Sequence, residues 1–365
     1  ILLAWDRTAK GEETVTTDWG TIWKYQEECP LNNPLTFASK LPGFLRWSTW
    51  QILAFQKIEK DIILHYHDLD TLIGGVFTSK LSELPLVYDC HENYPGLVKG
   101  AISSRGANIL HKIEAYLLKY CAGIMAAGPA GYIRLNDMLN IGSSAPFNAN
   151  DEDAFKVLSK PQSEFLNSRI TRVGNAKRLD AYPLSRIQKR KRNKKFRILY
   201  IGVLEKHPSR GILETAITVN KMKDVQFDIG GFGTLVPTIM KVCEKMANVN
   251  YIGSIHPDNV PLQTIESDAV LMALDPKNDN NRMSAPNKLF EAMSAGVPII
   301  TCKELLMGQF VENEEIGLTF EWGKWDRLKA VIMKLVYDKE LQAKMGKRGR
   351  KLAEKTHNWE KCEER

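Results

Sequence analysis

Two basic side chains stand at the start of apolar-patterned helices: Arg210 in "HPSRGILETAITVN" and Lys288 in "SAPNKLFEAMSAGVPII". A helix start presents unsatisfied N–H groups and a partial positive charge, which suits an anion. Arg210 adds a planar fork that matches phosphate oxygens. Gly202, where the preceding strand ends, lets the backbone approach a ligand. Around Lys288, Ser284 is the expected cap, Pro286 fits the first turn, and Gly296 and Pro298 form the stop. Glu291, one turn after Lys288, can accept hydrogen bonds from a pair of ribose hydroxyls. Plainer readings stand beside these. Arg210 is then an exposed residue next to a turn, and Lys288 with Glu291 an i, i+3 ion pair on a helix surface. "DIGGFG" supplies Gly230, Gly231 and Gly233, against which a base or ribose can lie. It lacks the full GxGxxG pattern, and a tight β–α turn also accounts for it.

The first half contributes imidazoles and carboxylates. "LHYHDLDTLIGG" ends a strand with His65, His67 and Asp68, and "VYDCHENYP" ends the next with Asp89, His91 and Glu92. Two neighbouring strands thus bring these groups to one rim. Alternation puts His65 and His67 on the same side of their strand, where one can simply be packed. H-x-H-D alone is a poor metal signature, and the reading assigns no metal.

These residues need strands and helices to hold them, and the patterning supplies both. "FRILYIG", "VQFDIGG", "NVNYIGSI", "DAVLMAL", "VPIIT" and "GLTFEW" are short apolar runs. Helix-length segments at 211–222, 235–246, 286–295 and 325–336 alternate with them. This is the pattern of βαβ units in a parallel sheet covered on both faces. The first half repeats it less regularly. Its strands are expected at "ILLAWD", "DIILHYH", "LPLVYDC", "GIMAAG" and "RITRVGN", its helices at 46–60, 70–80, 108–120 and 130–138, and a loop over 140–168. The expected fold is α/β, with two doubly wound Rossmann-like domains facing a cleft. They cover 1–185 and 196–365, with 186–195 as a basic linker. Ligands of such sheets bind beyond the carboxyl ends of the strands.

Composition narrows the class. The 365 residues suit two domains, and 44% apolar with 25% charged residues is a globular composition. Six cysteines lie scattered without a CxxC pair, as expected of thiols in a reducing cytoplasm. No signal peptide is visible. "AYLLKYCAGIMAAGPAGYI" is broken by Lys119 and by Gly128–Pro129 and reads as helix, strand and helix rather than a membrane span. Part of the net charge of +7 sits in "RIQKRKRNKKFR". That run reads as a solvated linker, or as a patch drawn to an anionic membrane. Nucleic acid is not an expected partner.

Taken together, these motifs resemble the GT-B glycosyltransferases, specifically the large retaining family 4. The resemblance rests on "RG" after the first downstream strand, on "GGFG", and above all on "PNKLFEAMSAGVPII". "HYHDLDT", "VYDCHENYP" and "VGNAKR" extend it upstream. It implies that Arg210 and Lys288 neutralise the leaving diphosphate, that Glu291 holds the ribose, and that His91 touches the donor sugar. Gly202, Gly231, Gly233, Asn287 and Leu289 join them on the donor side, with His67, Asp68 and Glu92 on the acceptor side. The implied donor is a UDP- or GDP-linked sugar and the implied acceptor a sugar or a lipid-linked sugar. Transfer proceeds with retention and needs neither cofactor nor metal, the departing phosphate accepting the acceptor's proton. Two positions depart from the family pattern. Met283 stands where an earlier glutamate is usual, and Val203 where an arginine is usual, which leaves Arg210 with more of the phosphate.

The resemblance carries further expectations. "ILLAWDR" is similar to the family's second strand, so the chain reads as lacking a first strand and its helix. Five of the eight tryptophans (Trp5, Trp19, Trp23, Trp47 and Trp50) lie near the start. "LPGFLRWSTWQILAFQKIEK" reads as a core helix, or as a surface lying on a membrane beside a lipid-linked acceptor. A nucleotide-sugar epimerase, with Glu92 as its carboxylate, and a non-catalytic nucleotide-sugar binder are the alternative functions.

Overall fold

The computed structural model describes residues 1–9, 11, 13–18, 20–29, 34–91, 93–95, 102–141, 169–190, 193–206 and 209–363. Trp19, Glu92 and nearly all of the expected 140–168 loop lie outside them. The chain forms two compact units, one mainly Ile1–Met125 and the other mainly Arg172–Arg365 with Ala126–Arg134.

The downstream unit is built on six strands: β8 (Phe196–Val203), β9 (Val225–Phe232), β10 (Val249–Tyr251), β11 (Ala269–Met272), β12 (Ile299–Cys302) and β13 (Gly317–Phe320). Their order is β10-β9-β8-β11-β12-β13, and every pairing is parallel. Such strands are buried on both faces, which is why their sequences are continuous apolar runs rather than alternating ones. All four residues of β11 and all four of β12 are buried. The order reverses at β8, so ligands are expected past the carboxyl ends of β8 and its neighbours.

All six expected strands form here, as do the expected helices, at Ile212–Asn220, Val236–Cys243, Asn287–Ala295 and Trp325–Tyr337. The helices Leu306–Asn313 and Lys339–Lys355 were not anticipated. Two described residues of the basic run bond to the downstream unit. Arg190 donates to the Ser267 carbonyl at 3.0 Å, and Asn193 donates to the Glu266 carbonyl at 2.9 Å. The chain from Arg172 onward therefore packs with the downstream sheet.

The upstream unit holds two sheets. β4 (Leu64–His67), β5 (Leu86–Cys90), β6 (Gly123–Ala126) and β7 (Ile170–Arg172) run in that order, with β4 and β5 parallel. β1 (Leu2–Asp6), β2 (Thr14–Thr17) and β3 (Gly20–Gln26) form a separate sheet of order β1-β3-β2. β3 runs parallel to β1 and antiparallel to β2, and neither β2 nor β3 was foreseen. The helix expected at 46–60 begins earlier and spans Pro34–Phe55, passing through Pro42. Its aromatic face packs on this small sheet: Trp5 stacks on Phe37 at 5.5 Å and on Phe44 at 5.7 Å, and Trp47 lies 5.7 Å from Tyr25. Those rings are partly buried against one another, while Trp50 points outward with 66% exposure. No helix among the described residues is long and apolar enough to cross a membrane.

Candidate active site

β8 and β9 run side by side to their carboxyl ends, where Gly202 pairs with Gly231. At Gly231, φ is +135°, and a Cβ there would lie 1.8 Å from the Gly202 carbonyl oxygen. Only glycine fits, so the two main chains meet without side chains between them. Beyond them, Glu205 accepts from the Thr234 N–H at 3.2 Å and from the Thr234 hydroxyl, joining the loop after β8 to the Gly-rich turn after β9. At Gly233 a Cβ would lie 2.4 Å from the Leu204 carbonyl oxygen.

Arg210 and Lys288 reach this strand end from two separate helix starts. Gly211, with φ +62°, turns the chain into the helix Ile212–Asn220, and the Thr215 N–H and hydroxyl both donate to its carbonyl, at 3.0 and 2.6 Å. Arg210, just ahead of that turn, brings its guanidinium to the Tyr200 hydroxyl. The Lys288 ammonium lies 4.5 Å from the centre of the same Tyr200 ring, and a Cβ on Gly202 would be 2.8 Å from its Nζ. Both cations therefore gather over Tyr200 and Gly202. Tyr200 is fully buried, and its burial pushes the phenol up to about 12. It stays neutral and donates to the Val203 carbonyl at 3.1 Å.

Like charges placed this close in a dry setting oppose each other. Burial, and then the neighbouring Arg210, draw the Lys288 ammonium down to about 8, against the support of Glu291. The buried Nε of Arg210 has no hydrogen-bond partner among the described residues. An unpaired buried donor beside a depressed lysine is the signature of a place waiting for negative charge. The pH dependence follows with a definite sign. Lys288 is charged below about 8 and neutral above it. Affinity for a nucleoside diphosphate, followed by calorimetry against pH, is expected to fall as pH rises through 8, approaching roughly tenfold per pH unit. In the ligand-free protein the same displacement raises stability with pH above 8, because the unfolded chain there still binds a proton that the folded chain has lost.

The helix Asn287–Ala295 is set in place by residues the sequence reading did not assign. Ser284 was expected to cap it, but its hydroxyl donates to the Asn281 carbonyl at 3.0 Å. The capping position is Pro286, and no side chain caps the helix there. Instead Asn175 donates to the Ala285 carbonyl at 2.8 Å, and Lys177 donates to the Asn287 side chain at 2.7 Å. Lys177 also pairs with Glu291 at 3.3 Å. Glu291 thus has an ion partner from far upstream in the sequence rather than only one turn away. Leu289 is fully buried, so its side chain belongs to the core and only its backbone can border a ligand. Lys177→Met is expected to release Glu291 and to weaken nucleoside binding by about tenfold, the worth of one charge-assisted hydrogen bond. Comparing uridine and guanosine affinities of the variant and wild type checks this.

In the upstream unit the described residues of the rim do converge. The Asp89 Oδ2 lies 3.2 Å from His65 Nε2, 3.4 Å from His67 Nδ1 and 3.0 Å from His91 Nε2. Burial works against the Asp89 charge, yet the His65 and His67 contacts hold its carboxyl well below the usual range. Asp68, at a positive φ of +56°, accepts from the His91 N–H at 3.0 Å and so fixes the start of the loop after β5.

The α/β fold, with its six-stranded parallel sheet and two cations at the carboxyl end of β8, matches that of GT-B glycosyltransferase structures. Residues 183–352 match the family model described as glycosyl transferases group 1. Solved structures agree on the fold. Sucrose-phosphate synthase from Thermosynechococcus elongatus superposes with a TM-score of 0.71 at 15% identity, over 98% of this chain and 84% of that one. HepE from Anabaena in complex with UDP gives 0.60 at 15% identity, over 92% and 82%. A variant of TarM from S. aureus, in complex with fondaparinux, alpha-GlcNAc-glycerol and UDP, gives 0.59 at 17% identity, over 88% and 57%. A search of curated proteins finds no match.

Proposed function

We propose that this chain transfers a sugar from a nucleoside-diphosphate donor to a sugar or lipid-linked acceptor, with retention of configuration. The observation that carries the reading is the meeting of Arg210 and Lys288 over Tyr200, at the carboxyl end of β8. In this reading the diphosphate lies across the two cations, against the bare main chain at Gly202 and Gly231, with Gly233 and Asn287 at its border. Glu291, steadied by Lys177, takes the ribose hydroxyls. As the glycosidic bond to phosphate breaks, charge grows on the diphosphate oxygens. Two fixed cations stabilise that charge more than the ground state, which lowers the barrier. The departing phosphate takes the acceptor's proton on the same face, so no carboxylate base is required. His91 is assigned to the donor sugar, and His67 and Asp68 to the acceptor side. The match of residues 183–352 to the glycosyl transferases group 1 model supports the reading, as do the fold neighbours solved with UDP.

The test begins with a thermal-shift screen of UDP, GDP, ADP and their sugars. The nucleotide that stabilises the protein is then offered as its sugar to a panel of glycan and lipid-linked acceptors. A glycosylated product with the donor's anomeric configuration supports the reading. A new sugar nucleotide formed without any acceptor identifies an epimerase instead, and binding without turnover identifies a non-catalytic binder.

A further inference from the structure

The rim of β4 and β5 gathers imidazoles on one carboxylate. Three ring nitrogens (His65 Nε2, His67 Nδ1 and His91 Nε2) face one oxygen, Asp89 Oδ2, at 3.2, 3.4 and 3.0 Å. His67 Nδ1 and His91 Nε2 also face each other at 3.1 Å. Each ring nitrogen holds either one hydrogen or one lone pair. With every N–H turned to the carboxylate, one oxygen accepts three hydrogens and the His67 and His91 hydrogens crowd each other.

A cation can take the place of the His65 and His67 hydrogens. Tetrahedral zinc binds nitrogen and oxygen at roughly 2.0–2.1 Å, which sets its ligand atoms about 3.3 Å apart. The Asp89 oxygen lies 3.2 Å from His65 Nε2 and 3.4 Å from His67 Nδ1. Ligand atoms of His65, His67 and Asp89 all fall within 4.8 Å of one another. Asp89 is buried, and the imidazoles are about half exposed, so an ion can enter from solvent. The support around the set is also present: Asp68 holds the His91 backbone at 3.0 Å, the Thr71 hydroxyl donates to the His67 carbonyl, and the rings of His65 and His67 stack at 4.6 Å.

We propose that His65, His67 and Asp89 bind one divalent transition-metal ion of the zinc class, joining the carboxyl ends of β4 and β5. Two imidazoles and a carboxylate suit zinc over the hard cations magnesium and calcium. Three protein ligands leave the fourth position to water. The site lies within the upstream unit and has no part in holding the diphosphate. His91 stands outside the ligand set and faces the Asp89 carboxylate at 3.0 Å, so the proposal does not depend on the glycosyl-transfer reading.

The test uses the full chain, stripped of metal with a chelator and titrated with Co2+ and then Zn2+. One Co2+ per chain, with the visible bands of a four-coordinate site and displaced by Zn2+, is the expected result. His65→Ala and Asp89→Asn are each expected to weaken Co2+ binding by more than about 100-fold, beyond what loss of a supporting residue alone causes. His65→Cys keeps a ligand and is expected to retain binding with a new sulfur-to-cobalt charge-transfer band. That band separates a lost ligand from a damaged fold. Absence of Co2+ bands in the wild type overturns the proposal. So does Co2+ binding by His65→Ala and Asp89→Asn that equals the wild type, or a His65→Cys spectrum without the sulfur band.

Discussion

Arg210→Ala is expected to weaken nucleoside-diphosphate binding by about 100-fold (~3 kcal/mol), the worth of a bidentate charge-assisted contact. Turnover is expected to fall further than affinity, because the guanidinium counts most as charge accumulates on the leaving diphosphate. The argument starts at the helix turn. Gly211 takes a left-handed conformation at φ +62°, which places the residue before it at the rim of β8. From there Arg210 reaches the Tyr200 hydroxyl, while its buried Nε has no partner among the described residues. Removing it frees Lys288 from a like charge, so the Lys288 ammonium is expected to rise from about 8. Calorimetric affinity as a function of pH reads both effects. In Arg210→Ala the loss of affinity with alkaline pH is expected to begin later than in the wild type. An unchanged onset, with unchanged affinity, would separate Arg210 from Lys288 and from the anion.

Gly231→Ala is expected to cost the downstream unit about 3–5 kcal/mol, the sum of a strained backbone and an overpacked contact. Its Cβ would stand 1.8 Å from the Gly202 carbonyl oxygen, and its φ of +135° is a conformation L-residues rarely adopt. The neighbouring atom is main chain, and it belongs to the central strand pair, which has no slack to give. Because total stabilities are about 5–15 kcal/mol, the variant is expected to be marginal. Urea unfolding of wild type and variant measures the difference. A stable Gly231→Ala with unaltered nucleotide affinity would show that β8 and β9 do not meet as described.

The downstream half of the fold was legible because its strands are buried on both faces. Burial forces continuous apolar runs such as "AVLM" and "IITC", and helix stops such as Gly296 mark their spacing. Of the small upstream sheet only β1, in "ILLAWD", was legible. "TVTT" and "GTIWKYQ" lie half-exposed, so no strong apolar alternation announces them. The long helix was read too short because Pro42 and Gly43 resemble a break. The structure carries the helix through them, where stacking of Trp5 on Phe37 and Phe44 outweighs the proline's cost.

Within the candidate site, sequence reasoning found the residues whose types announce chemistry: Arg210, Lys288, Glu291 and the glycines. It missed those that act by position. Lys177 lies 110 residues from Asn287 and has no local pattern around it. Tyr200 reads as one more apolar strand residue until its ring is seen under the lysine. Glu291 and the expected cap Ser284 fared differently. Glu291 has a charged partner that fixes it, whereas the Ser284 hydroxyl turned to a nearer carbonyl. Short polar side chains have several local acceptors within reach, and spacing does not choose among them.

The central claim is that Arg210 and Lys288 grip one diphosphate. It is tested most directly by measuring the affinity of wild type, Arg210→Ala, Lys288→Met and the double variant for a nucleoside diphosphate and for its parent nucleoside. The account predicts that each variant loses diphosphate affinity but binds the nucleoside as the wild type does. It further predicts that the two losses are non-additive, since both residues act on the same group. Equal losses for nucleoside and diphosphate, or none for either, would contradict it.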